Sequence, residues 1–248
     1  EECEEIDRLN VEDQNILDVV DSNHQFAFDI YDELRSDAEN VFLSPYSIST
    51  ALGMLHLGAA ENTEAEMSDV LGVFPESAEA WHSGQGSLVQ EFDLGTNCDY
   101  KLAVANKAYF QTGYAFQPTF VDDLKLHYNS EVGELDFAND TELARKEINS
   151  WVSGKTNDRI PELFPRNTIS SSTKLVLTNA IYMDAPWKDS FDPANTYEGN
   201  FTLADGSTVP VDMMYRSEMG FSIGYQDDFQ IVEIFQNVNI VVFFSLVF

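Results

Sequence analysis

Apolar residues at three- and four-residue steps predict a helix over residues 13–35, with Ile16, Val19, Val20, Ala27, Ile30 and Leu34 on one stripe. Asp18, Asp21, Asp29, Asp32 and Glu33 lie largely off that stripe, on a solvated face. Asn40 to Leu43 predicts a short apolar strand. Ser44-Pro45 has the form of an N-cap followed by proline at the first helical position. The helix it opens runs through Ile48, Ala51, Leu52 and Leu55 and stops near Gly58. Thr63-Glu64-Ala65-Glu66 has the form of a capping box, opening a helix that ends at Gly72. Residues 76–96 are ambiguous, because Gly84 and Gly86 weaken any helix there.

Further along, Lys101 to Phe110 and Val132 to Phe137 read as strands, and Pro118 to Tyr128 between them as a helix. Thr141 to Lys155 predicts a helix with Leu143, Ala144, Ile148, Trp151 and Val152 on one face, and Pro161 and Pro165 break the chain after it. Lys174 to Met183 gives the strongest strand. Leu175, Leu177, Asn179, Ile181 and Met183 share one face, and Val176, Thr178, Ala180 and Tyr182 share the other. Both faces are largely apolar, as in a strand covered on both sides. After Pro186 the pattern is β. Gly199–Leu203 and Thr208–Met214 flank the turn dipeptide Asp205-Gly206, and Phe221–Tyr225, Phe229–Phe235 and Ile240–Phe248 follow at the spacing of an antiparallel meander. Helices come first and strands dominate later, so the class is α+β. No repeat, low-complexity tract or linker divides residues 1–248, which read as a single domain.

Composition changes this picture in one respect. The 248 residues are 44% hydrophobic and 12% aromatic, ordinary for a globular chain, but 13 Lys+Arg against 43 Asp+Glu leave a net charge of −30. Residues 1–100 hold two basic residues, Arg8 and Arg35, against 23 acidic ones. Such a surface repels phosphate backbones and anionic lipid, which argues against nucleic-acid and membrane partners. The longest apolar run, Ile240 to Phe248, is too short to cross a bilayer as a helix. The chain starts on Glu1 and five of its first seven residues are acidic, so the expectation is a leader removed or lying upstream. Asn139-Asp140-Thr141 and Asn200-Phe201-Thr202 are N-glycosylation sequons. Two cysteines, Cys3 and Cys98, form neither a disulfide framework nor a CxxC site, and their pairing stays open.

Catalytic signatures are missing: no GxSxG, HExxH, Walker A loop or GxGxxG occurs. His24, His56, His82 and His127 are scattered along the chain, and no metal or cofactor is expected. One polar residue is informative. Asn179 sits mid-strand between Leu177 and Ile181, and a buried carboxamide needs partners or costs about 1–3 kcal/mol. It is either a satisfied core group or a polar latch in a sheet that must change.

Five segments then point the same way. NVFLSPYSISTALGMLHLGAAENTEAEM (40–67), ANKAYF (105–110), EINSWVSGKTNDRIPELF (147–164), LVLTNAIYMDAPWKDSFD (175–192) and DGSTVPVDMM (205–214) resemble, in order, segments of the serpin family. The resemblance spans residues 13–244. It implies N-terminal helices, a large mixed sheet and a second antiparallel sheet. It also implies a secreted, metastable inhibitor of extracellular serine proteases, not an enzyme. In such inhibitors an exposed reactive loop is cleaved and then inserts into the large sheet. The resemblance places Ser44, Ser47 and Asn179 at the shutter, where the central strands part, and Trp187 at the breach, where the loop first enters. A non-inhibitory serpin acting as carrier, storage protein or chaperone is the alternative.

Two departures qualify the resemblance. The resemblance runs to residue 244 with roughly the last third of a serpin still to come, so the reactive loop and last core strands are expected beyond Phe248 and the chain alone is expected to be inactive. Ser245-Leu246-Val247-Phe248 also departs from the family's usual exit. Heparin-activated serpins carry basic residues on the fourth helix, whereas Glu76–Leu94 contains no Lys or Arg, which argues against heparin binding.

Overall fold

Proline and serine chemistry starts the helices where the sequence places it. Ser44 caps α2 (Pro45–His56), its Oγ accepting the Ser47 N–H, with Pro45 at the first position. A computed structural model describes residues 14–35, 41–94, 101–203, 205–217, 222–225, 229–235 and 241–247. The chain divides into two compact units, residues 1–96 with 102–183, and residues 97–101 with 184–248.

In the first unit α1 (Gln14–Leu34), α2, α3 (Glu61–Leu71) and α4 (Ala78–Leu94) gather around Val19, Phe26, Leu71, Val73 and Trp81. Leu34, expected on the buried stripe of α1, is exposed, and Phe26 is buried in its place alongside Ile16 and Val19. Residues 41–44 form no strand, and Phe42 is fully exposed; a strand needs a ladder partner, and among the described residues it has none. The capping box at Thr63 does not form. Glu66 accepts instead from Asn62 Nδ2 (2.7 Å), and α3 begins three residues earlier, with Ala60 as N-cap, where Glu61 and Glu64 favour the positive helix start. It ends on Gly72 at φ +67°, as expected.

Residues 78–94 are helical despite their glycines because the glycines let neighbouring backbones in. A Cβ on Gly84 would sit 2.7 Å from the Asn15 carbonyl oxygen of α1. On Gly86 it would sit 2.5 Å from the His127 carbonyl oxygen of α5 (Pro118–Tyr128).

The sheet of this unit has the order β2-β1-β3, with β1 Lys101–Gln111, β2 Glu131–Leu135 and β3 Leu175–Asp184. β1 and β2 run parallel, Lys107 opposite Glu131. β3 runs antiparallel to β1: the Gln111 N–H donates to Lys174 O (2.8 Å), and Thr178 Oγ1 donates to Lys107 O (2.9 Å). The sheet is therefore mixed. Alternation along β1 sends Ala108 and Phe110 to a core with Met54, Phe120, Leu124 and Tyr128, and Tyr109 to one with Phe137, Ala144 and Ile148. Leu175 and Leu177 pack on the first core and Val176 on the second, so β3 is covered on both faces.

α6 (Thr141–Lys155) lies over the second core through Ala144 and Ile148, while Leu143, expected on that face, is exposed. Glu131 Oε2 accepts from Trp151 Nε1 (3.1 Å), and its carboxylate pairs with Lys155 (2.9 Å) and Lys107 (3.4 Å). These bonds, Lys155 first, hold its carboxyl below the usual range. The segment after α6 is strapped back to the helix. Buried Arg145 donates to Glu162 Oε1 (2.8 Å) and Phe164 O (2.7 Å), while Asn149 bonds the N–H and the carbonyl of Phe164.

The second unit holds two antiparallel sheets. β4 (Tyr197–Thr202) and β5 (Thr208–Met213) form the expected hairpin, turning at Gly206 with φ +82°. β6 (Ser222–Tyr225), β7 (Phe229–Phe235) and β8 (Val241–Val247) form the expected meander.

Candidate functional site

The site is best built from Asn179. It lies on the face of β3 that carries Leu175 and Leu177, and a buried amide there needs a partner across the sheet. Asn106, directly across on β1, supplies it: Asn179 Nδ2 donates to Asn106 Oδ1 at 2.8 Å. Asn106 is itself buried, and its Nδ2 donates to the Tyr128 carbonyl at 2.9 Å. That carbonyl is free to accept because Asn129, at φ +46°, terminates α5 and leaves the last helical carbonyls without helical donors. One amide thus ties the end of a helix to two strands. The Asn179 Oδ1 is buried and has no partner.

Ser44 and Ser47 form a separate group at the start of α2, Oγ to Oγ 3.1 Å apart. Trp187 belongs to the second unit, half-buried, its ring edge-on to Phe191 at 5.9 Å. Asp189 in the same turn pairs with Arg216 (3.2 Å). Asn139 is exposed in the turn before α6, its Nδ2 donating to both Asp136 oxygens (3.1 and 2.9 Å), and Asn200 is exposed on β4 opposite Pro210. Cys3 and Cys98 lie outside the described residues.

Sequence reasoning missed Asn106. The signal was the one that exposed Asn179, an amide inside an apolar strand. It also took the histidines as scattered, whereas folding brings His56, His82 and His127 together; His24 alone is exposed. His56 Nε2 lies 2.9 Å from Ser68 Oγ, the spacing of a nucleophile and its base. Ser68, His56 and His82 are all buried, so no substrate reaches that pair in this arrangement. Among the described residues no group of three His, Cys, Asp or Glu could hold a metal ion, and no helix is long and apolar enough to cross a membrane.

The comparisons with known proteins agree with this architecture. The family described as Serpin (serine protease inhibitor) matches residues 21–246. Human serpin B4 is 37% identical over 225 residues, covering 85% of this chain and 57% of its own length. The leukocyte elastase inhibitor of Xenopus tropicalis is 37% identical over 195 residues, covering 78% of this chain and 51% of its own. The solved structure of emu ovalbumin superposes with a TM-score of 0.86 at 27% identity, covering 92% of this chain and 63% of that one. The chain spans about half the length of the curated relatives it matches. With helices, a mixed sheet and antiparallel sheets in the expected order, and a family match across nearly all its residues, this chain belongs to the serpin family of serine protease inhibitors.

Proposed function

We propose that the complete protein inhibits a serine protease by offering an exposed loop as bait and inserting it, once cleaved, beside β3. The observation that carries this reading is the serpin family match over residues 21–246. Among the described residues β3 pairs with β1, and the resemblance has the cleaved loop join this sheet as a new strand. The buried, unpartnered Asn179 Oδ1 adds an acceptor on β3. The leukocyte elastase inhibitor among the relatives supports the protease class. On this reading Ser44, Ser47 and Asn179 serve the parting of the strands and Trp187 the entry of the loop.

Incubation with trypsin-, chymotrypsin- and elastase-like enzymes tests it. The complete protein is expected to give a higher-mass band that survives denaturing electrophoresis. The 248 residues alone are expected to give none, since no segment here resembles the reactive loop. Absence of the band from the complete protein with all three enzymes would leave a carrier, storage or chaperone role.

We further propose that the protein is secreted, acts outside the cell without glycosaminoglycan, and carries its glycan on Asn200. α4 bears Glu79 and Glu91 and neither Lys nor Arg, a surface that repels heparin. The amide nitrogen of Asn139 is engaged by Asp136, whereas Asn200 is exposed on a strand. Secreted protein is expected to shift on a gel after N-glycosidase treatment. That shift should vanish in Asn200→Gln and persist in Asn139→Gln; the opposite pattern would move the glycan to Asn139.

A further inference from the structure

A buried chain of hydrogen bonds crosses the helical half of the first unit. His56 Nδ1 of α2 and His82 Nε2 of α4 are 3.1 Å apart. His56 Nε2 meets Ser68 Oγ of α3 at 2.9 Å, and His82 Nδ1 meets the Tyr128 hydroxyl of α5 at 2.6 Å. The His127 ring of α5 lies 5.9 Å from that of His82. Each neutral imidazole has one N–H, so the chain closes in either direction: from Ser68 towards Tyr128, or back. One added proton can still be hydrogen-bonded, but it puts a charge among buried rings. A second sets two N–H groups against each other across 3.1 Å.

The surroundings do little to offset that charge. Glu64 of α3 favours a protonated His56, but burial outweighs it and lowers His56. Glu79 of α4 is exposed and faces His127 at 3.6 Å. Tyr46 of α2 acts on Tyr128, whose hydroxyl burial keeps protonated. Trp81 packs edge-on against His82 and donates to Ser22 of α1, beside which Asp18 and Asp21 line the same cavity. Burial first, then the neighbouring His56 and His127, lower His82 to about 3. An unfolded imidazole takes up its proton near pH ~6.5. The unfolded chain therefore binds more protons from there down to about pH 3. The folded arrangement loses stability as pH falls through that window, and regains it as pH rises.

Tyr128 joins this chain to the sheet. Its hydroxyl ends the histidine chain, and its carbonyl holds Asn106, which holds Asn179 on β3. We propose that the His56–His82 pair is a proton-sensitive latch on the central sheet: its protonation separates α2, α4 and α5 and, through Tyr128, releases the clasp between β1 and β3.

Amide hydrogen exchange on the complete natural chain tests this at about pH 7.5 and about pH 5, each corrected for its intrinsic rate. In the parent, α4, α5 and β3 are expected to lose protection together, by about tenfold or more. His56→Gln with His82→Gln, which cannot charge, should abolish the loss everywhere. Tyr128→Phe should keep it in the helices and abolish it in β3. An unchanged β3 in the parent, a β3 loss in Tyr128→Phe as large as in the parent, or a full loss in the double variant would each overturn the proposal. If the double variant does not fold, the parent and Tyr128→Phe decide the matter.

Discussion

Asn106→Ala is expected to destabilise the complete protein by about 2–5 kcal/mol, more than Asn179→Ala does. Removing the Asn106 amide strands two partners at once, the Tyr128 carbonyl and the Asn179 Nδ2. Each buried polar group left unpaired costs about 1–3 kcal/mol. Asn179→Ala strands one, the Asn106 Oδ1, and removes an Asn179 Oδ1 that already lacks a partner, so its cost should be about 1–2 kcal/mol. Urea unfolding of both variants, with unchanged denaturant slopes, measures the difference. The reverse order would mean that Asn179, not Asn106, is the hub. The clasp should also resist polymerisation, since strands that part expose edges to other copies.

Two helical glycines should respond to alanine with opposite signs. At Gly86 the new Cβ would meet the carbonyl oxygen, carbonyl carbon and Cα of His127 at 2.5, 3.2 and 3.3 Å, all backbone, so α5 must move. Overpacking of this kind costs about 1–3 kcal/mol and sometimes more, against about 1 kcal/mol gained in helix propensity. With the clash on rigid backbone the first term wins, and Gly86→Ala is expected to lose about 2 kcal/mol. At Gly154 of α6 nothing lies within 4 Å of a Cβ, and Gly154→Ala is expected to gain about 0.5–1 kcal/mol. Thermal unfolding should move the two midpoints apart. A stable Gly86→Ala would show that α4 and α5 have slack between them.

The features legible in the sequence are those whose cause lies within a few residues. α5 and α6 have the bounds that their spacing predicts, Pro45 and Gly72 mark the helix ends expected of them, and Asp205-Gly206 turns its hairpin. The misses have distant causes. Gly84 and Gly86 weaken a helix locally, yet α1 and α5 need their missing Cβ atoms. Thr63 had an acid at the right spacing, but Glu66 found Asn62. His56, His82 and His127 stand far apart in the chain and meet only because α2, α4 and α5 converge. Asn179 signalled the need for a partner, but which residue answers is fixed by the register of β3 on β1.

The strap behind α6 has a mechanical consequence. Arg145 and Asn149 grip Phe164 on its N–H and carbonyl, so helix and strap form one lever whose far arm leads through Ile169 to the start of β3. A pull that lifts α6 from the sheet therefore also draws on the first residues of that strand, and a push on the strand is felt at the helix. Cutting the chain at Arg159 would leave the two arms clamped to each other by side chains alone. The severed lever would still transmit force, up to the strength of those few hydrogen bonds.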